Sequence, residues 1–322
     1  MSEWQTFCLK DLEKIVGGAT PSTNNPKNYG NKIAWITPKD LSTLQGRYIK
    51  KGGRSISRLG FKSCSCVLLP KHAILFSSRA PIGYVAIAKK RLCTNQGFKS
   101  IIPNKKIYFE FLYYLLKYHK DNISNIGGGT TFKEVSGATL GLFKVKIPPT
   151  YYEQQKIART LSILDQKIEN NHKINELLHT LAYKIYEYYF KYKPKNAKLE
   201  QIIIENPKSS IMVKNAQKTQ DKYPFFTSGD NILFYPKAII DGRNCFLNTG
   251  GNAGIKFYVG KASYSTDTWC ICANEFSDYL YLLLSNIKTH INQSFFQGTS
   301  LKHLQKNLLK KYPIYMPSAH EN

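Results

Sequence analysis

The sequence lacks long apolar runs, and none approaches the roughly 20 residues that a membrane-spanning helix needs. Cysteine is scarce and odd in number, with seven residues, and the N-terminus shows no secretory signal. These absences predict a protein of the reducing cytoplasm, without a membrane partner. Cys64 and Cys66, like Cys270 and Cys272, are separated by one residue instead of the two to four typical of zinc ligands, which favours small buried side chains over a metal site.

Catalytic motifs are also missing. The glycines before Lys261 do not have phosphate-loop spacing, and Ala262 stands where such a loop carries a magnesium-binding Ser or Thr. No histidine pair is spaced i, i+4, no Gly-x-Ser-x-Gly elbow occurs, and no Asp/Asn-Pro-Pro-aromatic tetrapeptide of an amino-methyltransferase is present. The sequence therefore predicts a non-catalytic protein without a cofactor or metal of its own.

Acidic residues are few: 21 Asp and Glu stand against 46 Lys and Arg, which gives a net charge of +25. Residues 1–150 hold 24 of the basic and 7 of the acidic residues, residues 151–192 hold 6 and 5, and residues 193–322 hold 16 and 9. The positive excess lies in the two flanking segments, which favours a polyanionic partner. A lysine-rich composition with a merely soluble surface is the alternative.

What the sequence does contain is an internal repeat at a shift of about 169 residues. Segment 129–135 (GTTFKEV) returns as 298–304 (GTSLKHL), 110–116 (EFLYYLL) as 278–284 (DYLYLLL), and 83–90 (GYVAIAKK) as 254–261 (GIKFYVGK). Both copies close on an apolar run that ends in proline, at Pro148 and Pro317. A period this long indicates two related domains rather than a solenoid.

Each copy combines short apolar runs, glycine turns and one helical stretch. The first copy predicts strands at 33–36, 66–69, 73–76 and 85–88 and a helix at 108–119, and the second predicts a helix at 279–287. Between them, residues 152–191 contain neither proline nor glycine and show helical periodicity. The predicted fold class is α+β: two homologous mixed α/β domains joined by a long coiled-coil-type helix.

The helix between the copies carries a narrow apolar seam typical of coiled coils. About 40 residues would span about 60 Å at about 1.5 Å per residue, which is too long for an ordinary core helix. We expect the seam to need a partner helix, and Asn171 either fixes the register of that pairing or marks a rotation of the contact face. The seam residues are Ile157, Leu161, Leu164, Ile168, Asn171, Leu178 and Ile185.

Polar residues recur in the loops of both copies and suit contacts with DNA. Arg can read guanine, Asn and Gln can read adenine, and Thr, Ser and Lys can hold phosphates. For any single residue, a capping or turn role is the alternative. The candidate DNA-binding residues are Thr20, Ser22, Lys39, Ser78, Arg79, Asn95, Gln96, Thr131, Lys133, Thr227, Ser228, Asn248, Thr249, Asn252, Thr266, Ser300 and Lys302.

Three segments of the chain resemble the specificity (S) subunit of Type I restriction–modification enzymes. The first is 4–22, in which Trp4, Leu9 and Asp11 precede GGATPS, and the second is 76–83 (FSSRAPIG). The third and most specific is 145–165, in which VKIPP runs into EQQKIA and then into Leu164-Asp165. The resemblance covers essentially the whole chain.

The resemblance implies a first target-recognition domain at 1–149, a central conserved spacer helix at 150–192, a second target-recognition domain at 193–317 and the truncated start of a distal conserved region at 318–322. Each recognition domain would read one half of a bipartite double-stranded DNA site through the major groove. The helix would set the gap between half-sites and dock modification (methyltransferase) subunits. S-adenosylmethionine, ATP and Mg would belong to the modification and restriction subunits.

The sequence departs from the family pattern after Pro317, where no second copy of the long helix follows. Three interpretations stay open: a truncation, a helix supplied by a second copy in a homodimer, or a specificity partner of a fused methyltransferase–nuclease. Outside the family, the alternative is a basic coiled-coil scaffold that binds nucleic acid non-specifically.

Overall fold

The computed structural model describes residues 3–79, 81–129, 133–216 and 222–318. The chain divides into two compact units, Met1–Ile174 (unit 1) and Asn175–Asn322 (unit 2). The division falls inside the long helix, so each unit takes one part of it. The domain boundaries expected at 149, 192 and 317 stay predictions.

The described residues of unit 1 form two sheets and a strand pair from short elements. Its strands are β1 (Gln5–Cys8), β2 (Glu13–Gly17), β3 (Tyr29–Ile36), β4 (Tyr48–Ile49), β5 (Arg54–Ile56), β6 (Ile74–Ser78), β7 (Ile82–Ala88), β8 (Cys93–Thr94), β9 (Lys99–Pro103) and β10 (Lys144–Ile147). Its helices are α1 (Pro38–Ser42), α2 (Arg58–Lys62), α3 (Phe109–Tyr118), α4 (Lys120–Asn125), α5 (Gly137–Leu142) and the first part of α6 (Tyr151–Tyr186). The strand orders are β2-β9-β6-β7-β4, β5-β3-β8 and β1-β10.

One core cluster of unit 1 lies between the five-stranded sheet and helix α3, and a second, which includes Leu75, lies on the other face of that sheet. Strand β6 occupies the middle of that sheet and is buried along its whole length. Helix α3 turns Phe111, Leu112, Leu115 and Leu116 inward, because residues four apart share one face of a helix. The sheet and helix together form the platform on which the loops at the end of β6 are held.

Unit 2 repeats this construction. Its strands are β11 (Ala197–Lys198), β12 (Ile204–Glu205), β13 (Tyr223–Phe226), β14 (Ile232–Tyr235), β15 (Arg243–Asn248), β16 (Ile255–Val259), β17 (Ser263–Tyr264), β18 (Thr268–Cys272), β19 (Phe296–Gln297), β20 (His303–Leu304) and β21 (Pro313–Ile314). Its helices, after the end of α6, are α7 (Val213–Ala216), α8 (Ser277–Asn286), α9 (Lys288–Ser294) and α10 (Lys306–Lys310). The strand orders are β12-β18-β15-β16, β14-β13-β17, β11-β21 and β19-β20.

The two units share one topology. The order β12-β18-β15-β16 matches β2-β9-β6-β7, and β14-β13-β17 matches β5-β3-β8. Each three-stranded sheet even contains the same parallel pair, β3 with β8 and β13 with β17. The repeat read from the sequence is therefore a repeat of structure. Strand β4 extends the main sheet of unit 1, whereas the described part of unit 2 adds no strand at that edge.

Helix α6 is continuous over 36 residues and ends in one π-helical turn, Glu187–Lys191. It begins after Pro149, and Thr150 caps it, because its hydroxyl oxygen accepts from the Glu153 N–H at 3.2 Å. The absence of proline and glycine lets the hydrogen-bond ladder run unbroken. The predicted long helix is confirmed.

Most short elements expected from the sequence are present, and one is wrong. Strands β3, β6 and β7 and helices α3 and α8 occupy the predicted places. The apolar run 66–69 is not a strand: Leu69 forms a single bridge with Leu92, and the run pairs with no described strand. Cys66 and Leu68 pack in a small cluster with Trp35 and Cys93, Leu69 is buried in a neighbouring core cluster, and Val67 is 38% exposed. Burial of most of these side chains without strand pairing explains the apolar pattern.

Candidate functional site

In unit 1, loops from distant parts of the chain meet at the end of strand β6. The Ser78 N–H donates to the Gly97 carbonyl at 2.8 Å, and the Ser78 carbonyl accepts from the Val135 N–H at 3.0 Å. The loop that follows β8 is anchored to β3 by the Asn95 N–H, which donates to the Ile36 carbonyl at 2.9 Å. These backbone bonds place three polar loops side by side.

A fourth loop, residues 17–22, joins them because a glycine permits close approach. A Cβ at Gly18 would lie 2.1 Å from the Asn95 carbonyl oxygen, so a larger residue cannot stand there. The next residues bring the Thr20 hydroxyl into a hydrogen bond with the side-chain oxygen of Gln96. Thr20, Asn95 and Gln96, all predicted from the sequence, thus lie together.

One carboxylate holds two cations at this surface. Glu134 lies 3.6 Å from the Arg79 guanidinium and 3.1 Å from the Lys99 ammonium. The Arg79 side chain keeps 38% of its surface exposed, so an arginine is presented at the edge of the loops in a defined direction. Ser78, by contrast, is fully buried, and its hydroxyl donates to Gly97, which gives it a role in shaping the loop.

Unit 2 assembles the corresponding loops at the end of strand β15. The Thr249 N–H and hydroxyl both donate to the Asp267 carbonyl, at 3.1 and 2.8 Å. The Ser228 hydroxyl donates to the same carbonyl oxygen. The Thr249 carbonyl accepts from the Leu304 N–H at 3.0 Å. Four separate segments of unit 2, at residues 228, 249, 267 and 304, therefore meet at the end of β15.

Asn248 is the centre of a second hydrogen-bond group in unit 2. Its amide donates to the Asn252 carbonyl at 3.1 Å, and its oxygen accepts from the Lys256 ammonium at 3.4 Å. Lys256 also donates to the Thr227 carbonyl at 2.8 Å, and burial lowers the pKa of this lysine. A Cβ at Gly254 would lie 2.2 Å from the Asn248 amide nitrogen, so this arrangement requires glycine.

The two loop clusters share a backbone frame but not their side chains. Ser78 bonds to Gly97 and Val135 as Thr249 bonds to Asp267 and Leu304. One residue further on, the bridge between Arg79 and Glu134 corresponds to the bridge between Gly250 and His303. An arginine in unit 1 thus takes the place of a glycine in unit 2.

The remaining predicted DNA-binding residues differ in exposure. Thr266 is half-buried and its hydroxyl donates to the Asp267 carboxylate at 3.5 Å, while Thr131 lies outside the described residues. The exposed ones are Ser22, Lys39, Lys133, Asn252, Ser300 and Lys302. The contacts of all these residues with DNA stay predictions.

Three polar residues of the clusters were not among the sequence candidates: Lys99, Glu134 and Lys256. No local pattern marks them, because each meets its partner through strand register. Glu134 and Lys99 are 35 residues apart in sequence. Only the pairing of β6 with β9 and the bridge of Arg79 to Glu134 bring them together.

A buried arginine attaches helix α6 to unit 1. The Arg47 guanidinium lies 3.6 Å from Glu110, 3.9 Å from Asp165 and 3.4 Å from Glu169. The backbone N–H of Arg47 donates to the Glu169 carboxylate at 3.1 Å, and the Tyr114 hydroxyl donates to the Asp165 carboxylate at 2.9 Å. Only 7% of Arg47 is exposed, and the Asp165 and Glu169 side chains are each 19% exposed, so the guanidinium binds the helix carboxylates in a largely buried site.

The apolar seam of α6 is packed only at its start. Ile157 packs against the core of unit 1 beside the fully buried Ala158. The later seam residues are exposed, with Leu164 and Ile168 each at 54% and Leu178 at 58%. The exposed seam residues are Leu161, Leu164, Ile168, Asn171, Leu178 and Ile185. This stripe is available to a partner helix, as the heptad pattern predicts.

The clusters offer hydrogen-bond donors, acceptors and positive charge. Within the described residues, no group of three or more His, Cys, Asp or Glu side chains is placed to hold a metal ion. Over the same ranges, no helix is long and apolar enough to cross a membrane. The chemistry that the clusters provide is that of recognising a polar or anionic surface.

The family model and the relatives that match this chain all belong to one family. A family model described as Type I restriction modification DNA specificity domain matches residues 1–180 and 195–322. The sequence is 46% identical over 191 residues to the Type I restriction enzyme MjaIX specificity subunit of Methanocaldococcus jannaschii, which covers 58% of this chain and 44% of that protein. It is 30% identical over 177 residues to the HindI specificity subunit of Haemophilus influenzae, covering 52% of this chain and 37% of that protein. The chain thus aligns with less than half the length of each relative.

A solved structure matches over nearly the whole chain. The crystal structure of a Type I restriction–modification system S subunit from M. genitalium superposes with a TM-score of 0.61, covering 99% of this chain and 86% of that one at 17% identity. At this identity the likeness concerns the fold. The predicted α+β class, with a long helix between two related domains, is confirmed.

Proposed function

Because the chain belongs to the Type I restriction modification DNA specificity domain family, we propose that it binds double-stranded DNA in a sequence-specific manner, with each unit reading one half of a bipartite site. The observation that carries this proposal is the pair of loop clusters, which share a frame and differ in side chains. A shared frame suits the same docking on a duplex, and different side chains suit two different half-sites. The net charge of +25 favours the phosphate backbone.

Helix α6 would serve the second part of this function. Its exposed seam suits docking of modification subunits, and its length suits holding two half-site readers at a set spacing. Methyl transfer and cleavage would be carried out by modification and restriction subunits, which would also bind S-adenosylmethionine, ATP and Mg. The seven free thiols fit the reducing cytoplasm, where this assembly would act.

Methylome sequencing tests the proposal directly. The chain is expressed with a Type I modification subunit in a host without other adenine methylation, and methylated sites are read across the genome. We expect one asymmetric bipartite motif with a gap of constant length. Methylation of a contiguous motif, or none in the presence of a modification subunit that is active with its own specificity subunit, would contradict the proposal.

A binding measurement separates specific from non-specific attachment. The affinity of the purified complex for a duplex with the motif is compared with that for a scrambled duplex over a range of salt concentrations. Both affinities should fall as salt rises, because phosphate contacts release counterions, while the ratio between them persists. Equal affinity for both duplexes, or for RNA and DNA, would favour the non-specific scaffold.

A further inference from the structure

Three of the seven cysteines meet in one small core cluster of unit 1. Cys66 and Cys93 are 9% and 0% exposed, and Cys64 is half-buried at the edge of the cluster. The Cys64 and Cys93 thiols both lie within hydrogen-bonding range of the Cys66 thiol. An antiparallel bridge between Leu69 and Leu92 holds the two chain segments side by side. Three adjacent thiols, one of which solvent can reach, are suited to thiol–disulfide chemistry.

The Cys66 thiol lies where two loops of the unit 1 cluster meet. It donates to the Ala19 carbonyl at 3.0 Å and lies 4.0 Å from the Thr94 carbonyl oxygen. The Ala19 N–H in turn donates to the Thr94 carbonyl at 3.0 Å. The same two loops carry Thr20 and Gln96, whose side chains hydrogen-bond to each other. A new covalent bond at Cys66 would therefore move loops that carry candidate DNA contacts.

A serine takes the position of Cys93 in unit 2. Cys93 lies opposite Trp35 in the parallel pair of β3 with β8, and Ser263 lies opposite Phe225 in the matching pair of β13 with β17. A serine hydroxyl forms no disulfide. A disulfide at this position of the repeated fold is therefore confined to unit 1.

We propose that Cys66 and Cys93 form a site of reversible oxidation, in which peroxide reacts first at Cys64 and the final product is a disulfide between Cys66 and Cys93. Disulfides of cytosolic proteins are mostly transient and redox-sensing, and a thiol reductant reverses them. Formation of the disulfide is independent of DNA recognition. Its effect on the loops rests on the proposed function.

Each step balances without a metal ion, and within the described residues no three such side chains are placed to hold one. The Cys64 thiolate attacks hydrogen peroxide, which gives a sulfenic acid and hydroxide. The Cys66 thiol displaces the sulfenic hydroxyl as water and forms a disulfide with Cys64. The Cys93 thiolate then attacks the Cys66 sulfur and releases the Cys64 thiolate, which takes up a proton. In total, two thiols and one peroxide give one disulfide and two waters.

The surroundings of the thiols set the order of rates. The hydrogen bond with the Cys66 thiol lowers the pKa of Cys93, which favours the thiolate that the last step needs. Burial raises the pKa of the Cys64 thiol, so the reaction with peroxide is the slow step. The two exchange steps follow readily because the sulfurs already lie together.

Mass spectrometry of the full chain tests the disulfide itself. The reduced protein is treated with hydrogen peroxide, free thiols are alkylated, and trypsin releases residues 63–71 and 92–99 as separate peptides. We expect these two peptides to be joined with the loss of two hydrogens and to separate after treatment with dithiothreitol. A disulfide confined to peptide 63–71, or oxidation that leaves Cys66 and Cys93 alkylated, overturns the proposal.

Matched variants assign the roles of the thiols. Cys93→Ala should abolish the joined peptides, and Cys64→Ser should slow their formation about tenfold or more, because buried thiols react slowly. Cys8→Ser, which removes another half-buried thiol outside the cluster, should leave the rate within about twofold. Circular dichroism checks that each variant folds. Equal rates for Cys64→Ser and Cys8→Ser overturn the proposed entry at Cys64.

A binding measurement tests the consequence for unit 1. The oxidised and the reduced complex are compared on duplexes that carry a base change in one half-site or the other. We expect oxidation to lower discrimination about fivefold or more in one half only, with recovery after reduction and no change in Cys93→Ala. A disulfide-bonded protein that reads both halves as the reduced one does overturns the effect on the loops. If the reduced complex reads no sequence, the proposed function fails, and the joined peptides still decide the disulfide.

Discussion

The loop clusters of the two units have the same backbone hydrogen-bond pattern but carry different side chains. At the end of β6, Arg79 faces Glu134, whereas at the end of β15, Gly250 faces His303. The preceding backbone bonds are nearly equal, 2.8 Å from Ser78 and 3.1 Å from Thr249. Strand pairing thus preserves the positions of the loops, while their side chains are free to differ. A duplicated domain can change what it reads without changing how it folds.

The units also differ in how they hold helix α6. Unit 1 uses the buried Arg47 with carboxylates of α3 and α6. Unit 2 holds the helix through aromatic side chains. Tyr186 packs on Tyr279, and the His179 ring hydrogen-bonds to the Tyr281 hydroxyl at 2.6 Å. Removing one member of a buried charge cluster leaves the other charges unpaired, which is costly. Shortening one ring of an aromatic contact reduces stability only in proportion to the apolar area that is lost. The two attachments should therefore respond differently to single substitutions.

The largest effect is expected from Arg47→Met. Without the guanidinium, the largely buried Glu110 and Glu169 lose their cation and Asp165 keeps only Lys117 at 4.0 Å, which should destabilise unit 1 by about 3 kcal/mol. Hydrogen exchange of the α3 amides measures this. The control is Arg243→Met in unit 2, whose ion pair with Asp278 is about half exposed and should contribute less than about 1 kcal/mol. An equal loss of unfolding free energy in the two variants would contradict the expected difference between the buried and the exposed ion pairs.

The second largest effect is a pH dependence of the unfolding free energy, which we expect in unit 1 and not in unit 2. Both carboxylate oxygens of Glu13 are buried without a hydrogen-bond partner, and burial raises its pKa to about 9. Strand register places Ile203 at the equivalent position of unit 2. Folded unit 1 keeps the Glu13 proton up to a pH of about 9, whereas the unfolded chain loses it near the ordinary glutamate pKa of 4.5. The free energy of unfolding should therefore fall as pH rises through this range.

Glu13→Met should remove that slope. At pH 8 we expect it to stabilise unit 1 by on the order of 2 kcal/mol, because no carboxyl group is then held away from water. At pH 4.5 the gain should nearly vanish. Urea unfolding at the two pH values checks this, with Ile203→Met as the control that leaves the pH dependence unchanged. A gain of the same size at both values would contradict the assignment to Glu13.

Gly254→Ala should impair recognition by unit 2 alone. The added Cβ would lie 2.2 Å from the Asn248 amide nitrogen and displace its hydrogen bond to Asn252. We expect a loss of about 1–2 kcal/mol in DNA binding. Discrimination should relax only in one half of the motif, as competition with half-site variants would show. Gly128→Ala in unit 1, where nothing lies within 4 Å of the added Cβ, is the matched control.

The smallest effect concerns a single exposed lysine. Lys302→Ala should weaken binding to all duplexes alike and reduce the slope of log affinity against log salt by about 0.9, as expected for one phosphate contact. Lys173→Ala, on the exposed face of α6, should leave the slope unchanged. A change in sequence preference with Lys302→Ala would instead assign this lysine to base reading.

Sequence patterns predicted what depends on neighbours along the chain. Helix α6 was predictable because a run without proline or glycine needs no distant partner to form a helix. The strand expected at 66–69 was wrong, because an apolar run reports burial and not pairing. The polar loops were predictable from the repeat, but the pairing of Arg79 and Lys99 with Glu134 was not.

By itself, the sequence determined that the protein has two related halves, an excess of positive charge and one long helix between them. These properties follow from composition and from periodicity over short stretches. The tertiary structure alone decided which polar groups meet, since Arg47 and Glu169 are 122 residues apart in sequence. Such contacts depend on strand register and helix docking, which local residue preferences do not specify.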